Sequence, residues 1–116
     1  MITHEIMLSM TPYPGEKPQE VNLSQSDGDF RLKVTLYSDL GELTIESGTT
    51  AALRGTKPDG TSYTKDATLN GDVVTVPGDS NMTEVAGIGV FEVCLTRGGK
   101  ALYSENFHAR IEPKTA

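Results

Sequence analysis

Tryptophan is absent from this 116-residue chain, and cysteine and histidine are scarce. The single cysteine, Cys94, has no partner for an internal disulfide and no Cys or His at zinc-ligand spacing. The two histidines, His4 and His108, fall on distant segments, and neither is part of a recognisable nucleophile and base arrangement. We therefore predict no catalytic residues, no metal site and no cofactor, and the sequence does not read as that of an enzyme.

Long apolar runs and an excess of basic residues are also missing. No stretch approaches the roughly 18 apolar residues of a membrane span, and the N-terminus lacks the basic start and apolar core of a secretion signal. Lys and Arg number 10 against 16 Asp and Glu, for a formal net charge of -6. Because nucleic acids and anionic membranes attract clustered basic surfaces, we expect neither as a partner.

Short alternating segments separated by turn residues make up most of the chain. The clearest runs from Phe30 to Tyr37, where apolar residues occupy every second position, as expected of a strand with one buried face. Turns are predicted at Lys57–Gly60, at Asn70-Gly71 as a type I′ hairpin, and at Gly98-Gly99. Asn81 and Glu84 have capping-box spacing, which predicts one helical turn ending near Gly87.

These signals predict an all-β fold, an immunoglobulin-like antiparallel β-sandwich of about eight strands with one short helical turn. Three prolines and a glycine between residues 11 and 18 divide the chain into an extended N-terminal arm, residues 1–19, and a sandwich domain, residues 20–116. We expect the arm to dock on a neighbouring subunit by adding a strand to a sheet edge. A chain lacking residues 1–18 is then expected to fold as a monomer that fails to assemble.

The predicted strand from Gly87 to Arg97 carries an excess of apolar residues. Phe91, Val93 and Leu95 form its inner face, but Ile88, Val90 and Cys94 fall on the other face. Two interpretations remain open. In the first, the outer residues are buried within the chain, either by a β-bulge at Gly89 or by cover from the arm. In the second, they form a protein–protein contact. A second bulge is predicted near Ser104 and Glu105, where the alternation of the last strand changes phase. The candidate interface residues are Ile2, Ile6, Leu8, Tyr13, Ile88, Val90 and Cys94.

An ordered set of motifs also carries a family resemblance. The set comprises the turn at 23–29, the strand Phe30–Tyr37, Ser47–Thr50, Gly55–Gly60, a hairpin, Asn81–Gly87 and the strands around Arg97–Lys100. Over about residues 20–113 the sequence resembles the N-terminal domain of phage baseplate upper proteins, found in tailed phages and prophages of Gram-positive bacteria.

The resemblance implies an immunoglobulin-like domain without enzymatic activity that anchors receptor-binding or fibre proteins to the tail baseplate. It also implies other virion proteins as partners, a homo-oligomer or repeated copies in the assembly, and a place in the virion after assembly in the host cytoplasm. Members continue into a helical stalk and trimerise, whereas no heptad follows Pro113 here.

Three non-enzymatic functions therefore stay open. The first is an adaptor or anchoring module of the tail baseplate or fibre apparatus, and the second is a capsid decoration or head-fibre protein. The third is a carbohydrate-binding module, for which Tyr13, Tyr37 and Tyr63 are the available aromatic residues.

Overall fold

The computed structural model describes residues 1–11, 18–41 and 43–115, and in these ranges it contains nine β-strands and no helix. The predicted all-β class is therefore confirmed. The strands in chain order are β1 (Ile2–Ser9), β2 (Gln19–Ser24), β3 (Phe30–Tyr37), β4 (Thr50–Thr56), β5 (Ser62–Asn70), β6 (Val73–Pro77), β7 (Gly87–Arg97), β8 (Lys100–Tyr103) and β9 (Phe107–Glu112).

The strands follow one hydrogen-bonded path in the order β1-β3-β6-β5-β4-β7-β9-β2, and β8 pairs with β7 off this path. Strand β5 joins the two halves of the path, because residues 62–67 pair with β4 and residues 68–70 pair with β6. The central pairs are antiparallel, as predicted. The outermost pairs, β1 with β3 and β2 with β9, are parallel.

Side chains join the two ends of this path, so that the sheet is nearly closed. The side-chain amide of Gln19, the first residue of β2, bonds with both the backbone N–H and the carbonyl of Met7 on β1. The backbone N–H of Ser9 donates to Glu105 Oε2 at 2.6 Å, and the N–H of Glu105 donates to the carbonyl of Ser9 at 2.8 Å. These bonds satisfy backbone groups on the edge of β1 that is not paired with any strand among the described residues.

The N-terminal segment differs from the arm that the sequence predicted. Residues 2–9 form β1 and pair with β3 of the same chain, from Ile2 opposite Phe30 to Ser9 opposite Tyr37. Ile6 and Leu8 are buried in the chain's own core. Their alternation is that of a strand with one apolar face, and β3 supplies the neighbour that this face needs. Residues 2–9 therefore belong to the folded domain, and the two residues do not lie on an accessible docking surface.

One continuous core lies inside the sheet. The largest fully buried side chains are Phe30, Phe91, Phe107, Leu8, Leu32, Leu36, Leu53, Met82 and Ile111. Leu43 and Ile45, which alternate in the sequence, pack partly buried against this core without forming a strand.

The hairpin turns follow the glycines, with one shift in position. Gly98 and Gly99 have φ of 57° and 78° between the paired residues Arg97 and Lys100, the geometry that a two-residue primed turn requires. The turn predicted at Asn70-Gly71 lies one residue later, because Asn70 pairs with Val73. Gly71 alone then takes positive φ at the first central position, which matches type II′ instead of type I′.

No helix forms over residues 81–87, where a helical turn was predicted: residues 81–83 form turns, residues 84–86 are irregular, and Gly87 begins β7. Asn81 and Glu84 do not form a capping box. Their side chains converge on Lys57, a buried lysine whose ammonium donates to Asn81 Oδ1 at 2.8 Å and to Glu84 Oε1. The two oxygens that suggested a helix start instead satisfy a buried cation, whose burial alone is costly.

Candidate interaction surface

The outer face of β7 carries the apolar residues that left two interpretations open. Strand β7 alternates regularly between buried and exposed residues through Gly89, and its register with β4 and β9 continues without an inserted residue. There is therefore no bulge at Gly89, and the expected change of phase is wrong. Ile88 remains 52% exposed and Val90 38% exposed.

Gly89 serves packing instead. It is buried in the inner row of β7, and a Cβ placed there would lie 2.6 Å from Cε2 of Phe91. The absence of a side chain leaves room for the Phe91 ring over the sheet. The glycine that suggested a bulge in the sequence therefore makes room for a core ring within a regular strand.

Polar residues of the neighbouring strands border this apolar pair. On β9, Arg110 lies opposite Ile88 and His108 opposite Val90, and on β4 Thr56 lies opposite Val90. An exposed apolar centre with a polar border is typical of a protein contact surface.

Farther along the same face, an ion pair separates Ile88 and Val90 from a second apolar spot. The guanidinium of Arg54 lies 3.1 Å from Glu92 and 4.7 Å from the ring centroid of Tyr103. Tyr103, 41% exposed, lies opposite Cys94 across the β7–β8 pair. The two spots and the ion pair between them form the surface that we call the outer patch: Ile88, Val90, Glu92, Cys94, Arg54 and Tyr103.

The structure distributes the seven predicted interface residues over different places. Ile88, Val90 and Cys94 share the outer face of β7, and Ile2 is exposed at the start of β1. Ile6 and Leu8 are core residues, as described above, and Tyr13 lies outside the described residues.

Three members of the outer patch, Arg54, Glu92 and Tyr103, are not among the predicted interface residues, and the position of Tyr103 depends on a bulge. Between the pairs Cys94–Tyr103 and Phe91–Phe107, β7 has two residues and the opposing strand has three, so the bulge predicted near Ser104 and Glu105 is confirmed. The hydroxyl of Ser104 accepts the backbone N–H of Val93 at 2.9 Å. Because the extra residue reverses the phase, Tyr103 faces outward although Phe107 faces the core. In the sequence, the predicted bulge is the signal that identifies Tyr103 as an outward-facing residue.

Tyr63, considered as an aromatic platform for a sugar, belongs to the core. Its ring packs edge-on against Phe91 with centroids 6.0 Å apart, and its hydroxyl donates to Asp79 Oδ2 at 3.1 Å. Burial, followed by this hydrogen bond and the negative charge of Asp79, raises the pKa of Tyr63 above its ordinary value. The Tyr63 ring therefore offers no open face for stacking on a ligand.

Residues 1–11, 18–41 and 43–115 contain no group of three or more His, Cys, Asp or Glu side chains placed to hold a metal ion. No helix within the same described ranges is long and apolar enough to cross a membrane.

The chain resembles a known protein in its fold. No protein-family model matches the chain, and no curated protein sequence matches it. Among solved structures, the chain shares its fold with the N-terminal domain of a phage protein, in agreement with the sequence resemblance.

That structure is the N-terminal domain of phage TP901-1 ORF48. The match covers 97% of this chain and 99% of the other, with a TM-score of 0.71 and 14% sequence identity. The two chains therefore have the same fold over nearly their whole lengths, although few of their residues are identical.

Proposed function

We propose that the chain is a non-enzymatic structural protein of a phage virion, an adaptor or anchoring module of the tail baseplate or fibre apparatus. The observation that carries the proposal is the fold match to the N-terminal domain of a baseplate protein, which spans 97% of the chain.

The outer patch supports a docking role for the domain. Ile88 and Val90 lie side by side in one row of β7, and the neighbouring Arg54, Glu92 and Arg110 offer polar and charged groups around them. Covering one such aliphatic side chain fully contributes roughly 1.5–3 kcal/mol. The partners proposed for this surface are other virion proteins or further copies of the chain in a repeated assembly.

The carbohydrate-binding alternative receives less support from the contacts. Of the three tyrosines considered for sugar binding, Tyr63 is buried and bonded to Asp79. A capsid decoration or head-fibre role uses the same kind of fold and surface, and we keep it as the second possibility. Both roles place the protein in the virion, with assembly in the cytoplasm of the bacterial host.

Electron microscopy of particles labelled with an antibody against the chain tests this proposal. Label at the tail tip is the expected result. Label over the shell would favour the capsid decoration role, and intact particles free of label and of the protein would contradict a virion role altogether. Particles from a strain with the gene deleted provide the control for antibody specificity.

A further inference from the structure

The short strand β8 has a free edge in the described structure. Its four residues, Lys100–Tyr103, pair with β7 on one side, and within residues 1–11, 18–41 and 43–115 no strand pairs with the other side. All four residues are exposed, and Leu102 is 50% exposed. An unpaired strand edge presents backbone donors and acceptors to any extended segment that can reach it.

The turn before β8 determines which backbone groups are open. A two-residue turn makes its flanking residues, Arg97 and Lys100, a hydrogen-bonded pair, and in an antiparallel ladder such pairs alternate with non-bonded ones. The N–H and carbonyl groups of Ala101 and Tyr103 therefore point away from β7. An added strand has two residues of β8 with which to exchange hydrogen bonds.

A hollow of about 260 Å³, lined by both apolar and polar residues, adjoins this edge on the inner side of the strand. Its apolar lining is formed by Leu102, by Leu95 directly opposite on β7, and by Leu43 and Ile45 from the loop before β4. Side chains alternate across a strand, so the residue of an added strand opposite Leu102 would point into this hollow. The hollow also has a polar part that includes Glu46, and its apolar part suits one aliphatic side chain.

The charge of Lys100 at this edge favours an acidic residue in an added strand. Lys100 lines the same hollow, and in the described part of the chain no carboxylate lies within 4.0 Å of its ammonium. Arg97, beside it, already pairs with Glu46 at 2.7 Å. Lys100 thus remains available to an acidic group, although the chain as a whole carries a net charge of -6.

We propose that the free edge of β8 binds an extended segment of another virion protein in which an aliphatic and an acidic residue stand two positions apart. The aliphatic residue enters the hollow beside Leu102, and the acidic residue meets Lys100 on the same face. This inference rests on the proposed docking role and names the chemistry of one partner.

A second copy of the chain fits this edge less well. If two β8 edges paired through the open groups of Ala101 and Tyr103, the pair would be centred on Leu102. Ser104 of the second copy would then lie opposite Lys100, and its hydroxyl carries no charge to meet the ammonium. The acidic segment is therefore the better occupant.

Titration of the isotope-labelled full chain with a short capped peptide, followed by NMR, tests the proposal. The peptide repeats the sequence Thr-Val-Thr-Glu, which places valine and glutamate two positions apart. The control peptide has lysine in place of each glutamate. We expect the glutamate peptide to shift the amide resonances of Ala101 and Tyr103, with binding that weakens as salt is added. The lysine peptide is expected to give no such shifts.

Two variants make the test specific. Ala101→Pro removes an amide that β7 does not use and should abolish binding, whereas Ala101→Val keeps the amide and should retain it. Lys100→Glu, at an exposed position, should reverse the preference toward the lysine peptide. Equal responses to both peptides, or shifts that avoid β8, would overturn the proposal.

Dilution of the chain alone distinguishes the other occupant. If the Ala101 and Tyr103 resonances move with protein concentration in the absence of peptide, the edge binds a second copy and the acidic-segment proposal is wrong. Failure of the peptide experiment leaves the particle-labelling result unchanged, so the two proposals are tested separately.

Discussion

At the scale of single residues, two glycines on adjacent strands make room for the ring of Phe91. A Cβ at Gly55 would lie 2.1 Å from the carbonyl oxygen of Val90, and a Cβ at Gly89 would lie 2.6 Å from the Phe91 ring. Both distances are shorter than any tolerated contact between these atoms. The close approach of β4 and β7 behind the outer patch therefore depends on the absence of these two side chains.

Replacing Gly55 with alanine is expected to destabilise the fold. The added methyl group meets backbone atoms of β7, which cannot move without disturbing the sheet, and such overpacking costs about 1–3 kcal/mol. Thr56→Ala, at the exposed neighbouring position, is the control and should stay within about 0.5 kcal/mol. Urea unfolding of both variants measures the difference, and equal stability would show that β4 and β7 separate at little cost.

Asp79 joins three groups near the end of β6. Its Oδ1 accepts the backbone N–H of Asn81 at 2.8 Å, while Oδ2 accepts the Tyr63 hydroxyl and lies 3.6 Å from the Lys65 ammonium. The backbone bond from Asn81 is the main cause that lowers the pKa of Asp79 below its ordinary value of 3.8. The ionised carboxylate therefore stabilises the fold at neutral pH.

The stability of an Asp79→Asn variant should depend on pH differently from that of the natural chain. Because the folded-state pKa is lowered, the stabilisation is complete above the ordinary value and is lost as pH falls through the folded value, below 3.8. We expect the natural chain to be more stable by about 1 kcal/mol at pH 7. Urea unfolding of both chains from pH 7 to 2.5 measures the gap, which should close at low pH. A gap that stays constant would contradict this role of the charge.

At the scale of elements, β1 shows how a short segment can belong to either of two structures. Its alternating Ile6 and Leu8 suit a strand in any sheet, and the prolines after Thr11 suggest a separate arm. The structure pairs the segment with β3 and buries both side chains, with Met10 beside them. The choice depends on a long-range parallel pairing, which local patterns do not encode.

Deleting residues 1–10 should therefore unfold the domain. Burial of Ile6, Leu8 and Met10 contributes roughly 1.5–3 kcal/mol each, and their sum is comparable to the total stability of about 5–15 kcal/mol of a small domain. Circular dichroism and thermal melting test this expectation. Removal of Thr115 and Ala116 is the control and should leave the melting curve unchanged. A truncated chain that melts cooperatively would restore the idea of a dispensable arm.

At the scale of the whole molecule, the sequence predicts the strands better than their arrangement. The alternation from Phe30 to Tyr37 and the Gly98-Gly99 turn appear in the structure as expected, since both are local signals. The contacts of Lys57 with Asn81 and Glu84 could not be predicted in this way, because Lys57 is far from the other two in the chain. The spacing of Asn81 and Glu84 also fits a capping box, which is an equally good local explanation. In the outer patch, Ile88 and Val90 could be predicted from β7 alone, whereas Tyr103 required the bulge.

We propose that this domain is a structural module whose outer patch binds another virion protein or a further copy of the chain. Incorporation of a chain carrying both Ile88→Asp and Val90→Asp into phage particles tests it most directly, with thermal melting of the purified chain measured in parallel. Both side chains are exposed, so the melting temperature of the free chain should change little. In the assembled particle, an apolar partner surface would bury the new carboxylates, and that burial is costly. We expect particles that lack the variant or contain far less of it, whereas Thr68→Ala, an exposed change on β5 away from the outer patch, should be incorporated as well as the natural chain. A stable variant that enters particles at the natural level would contradict the claim.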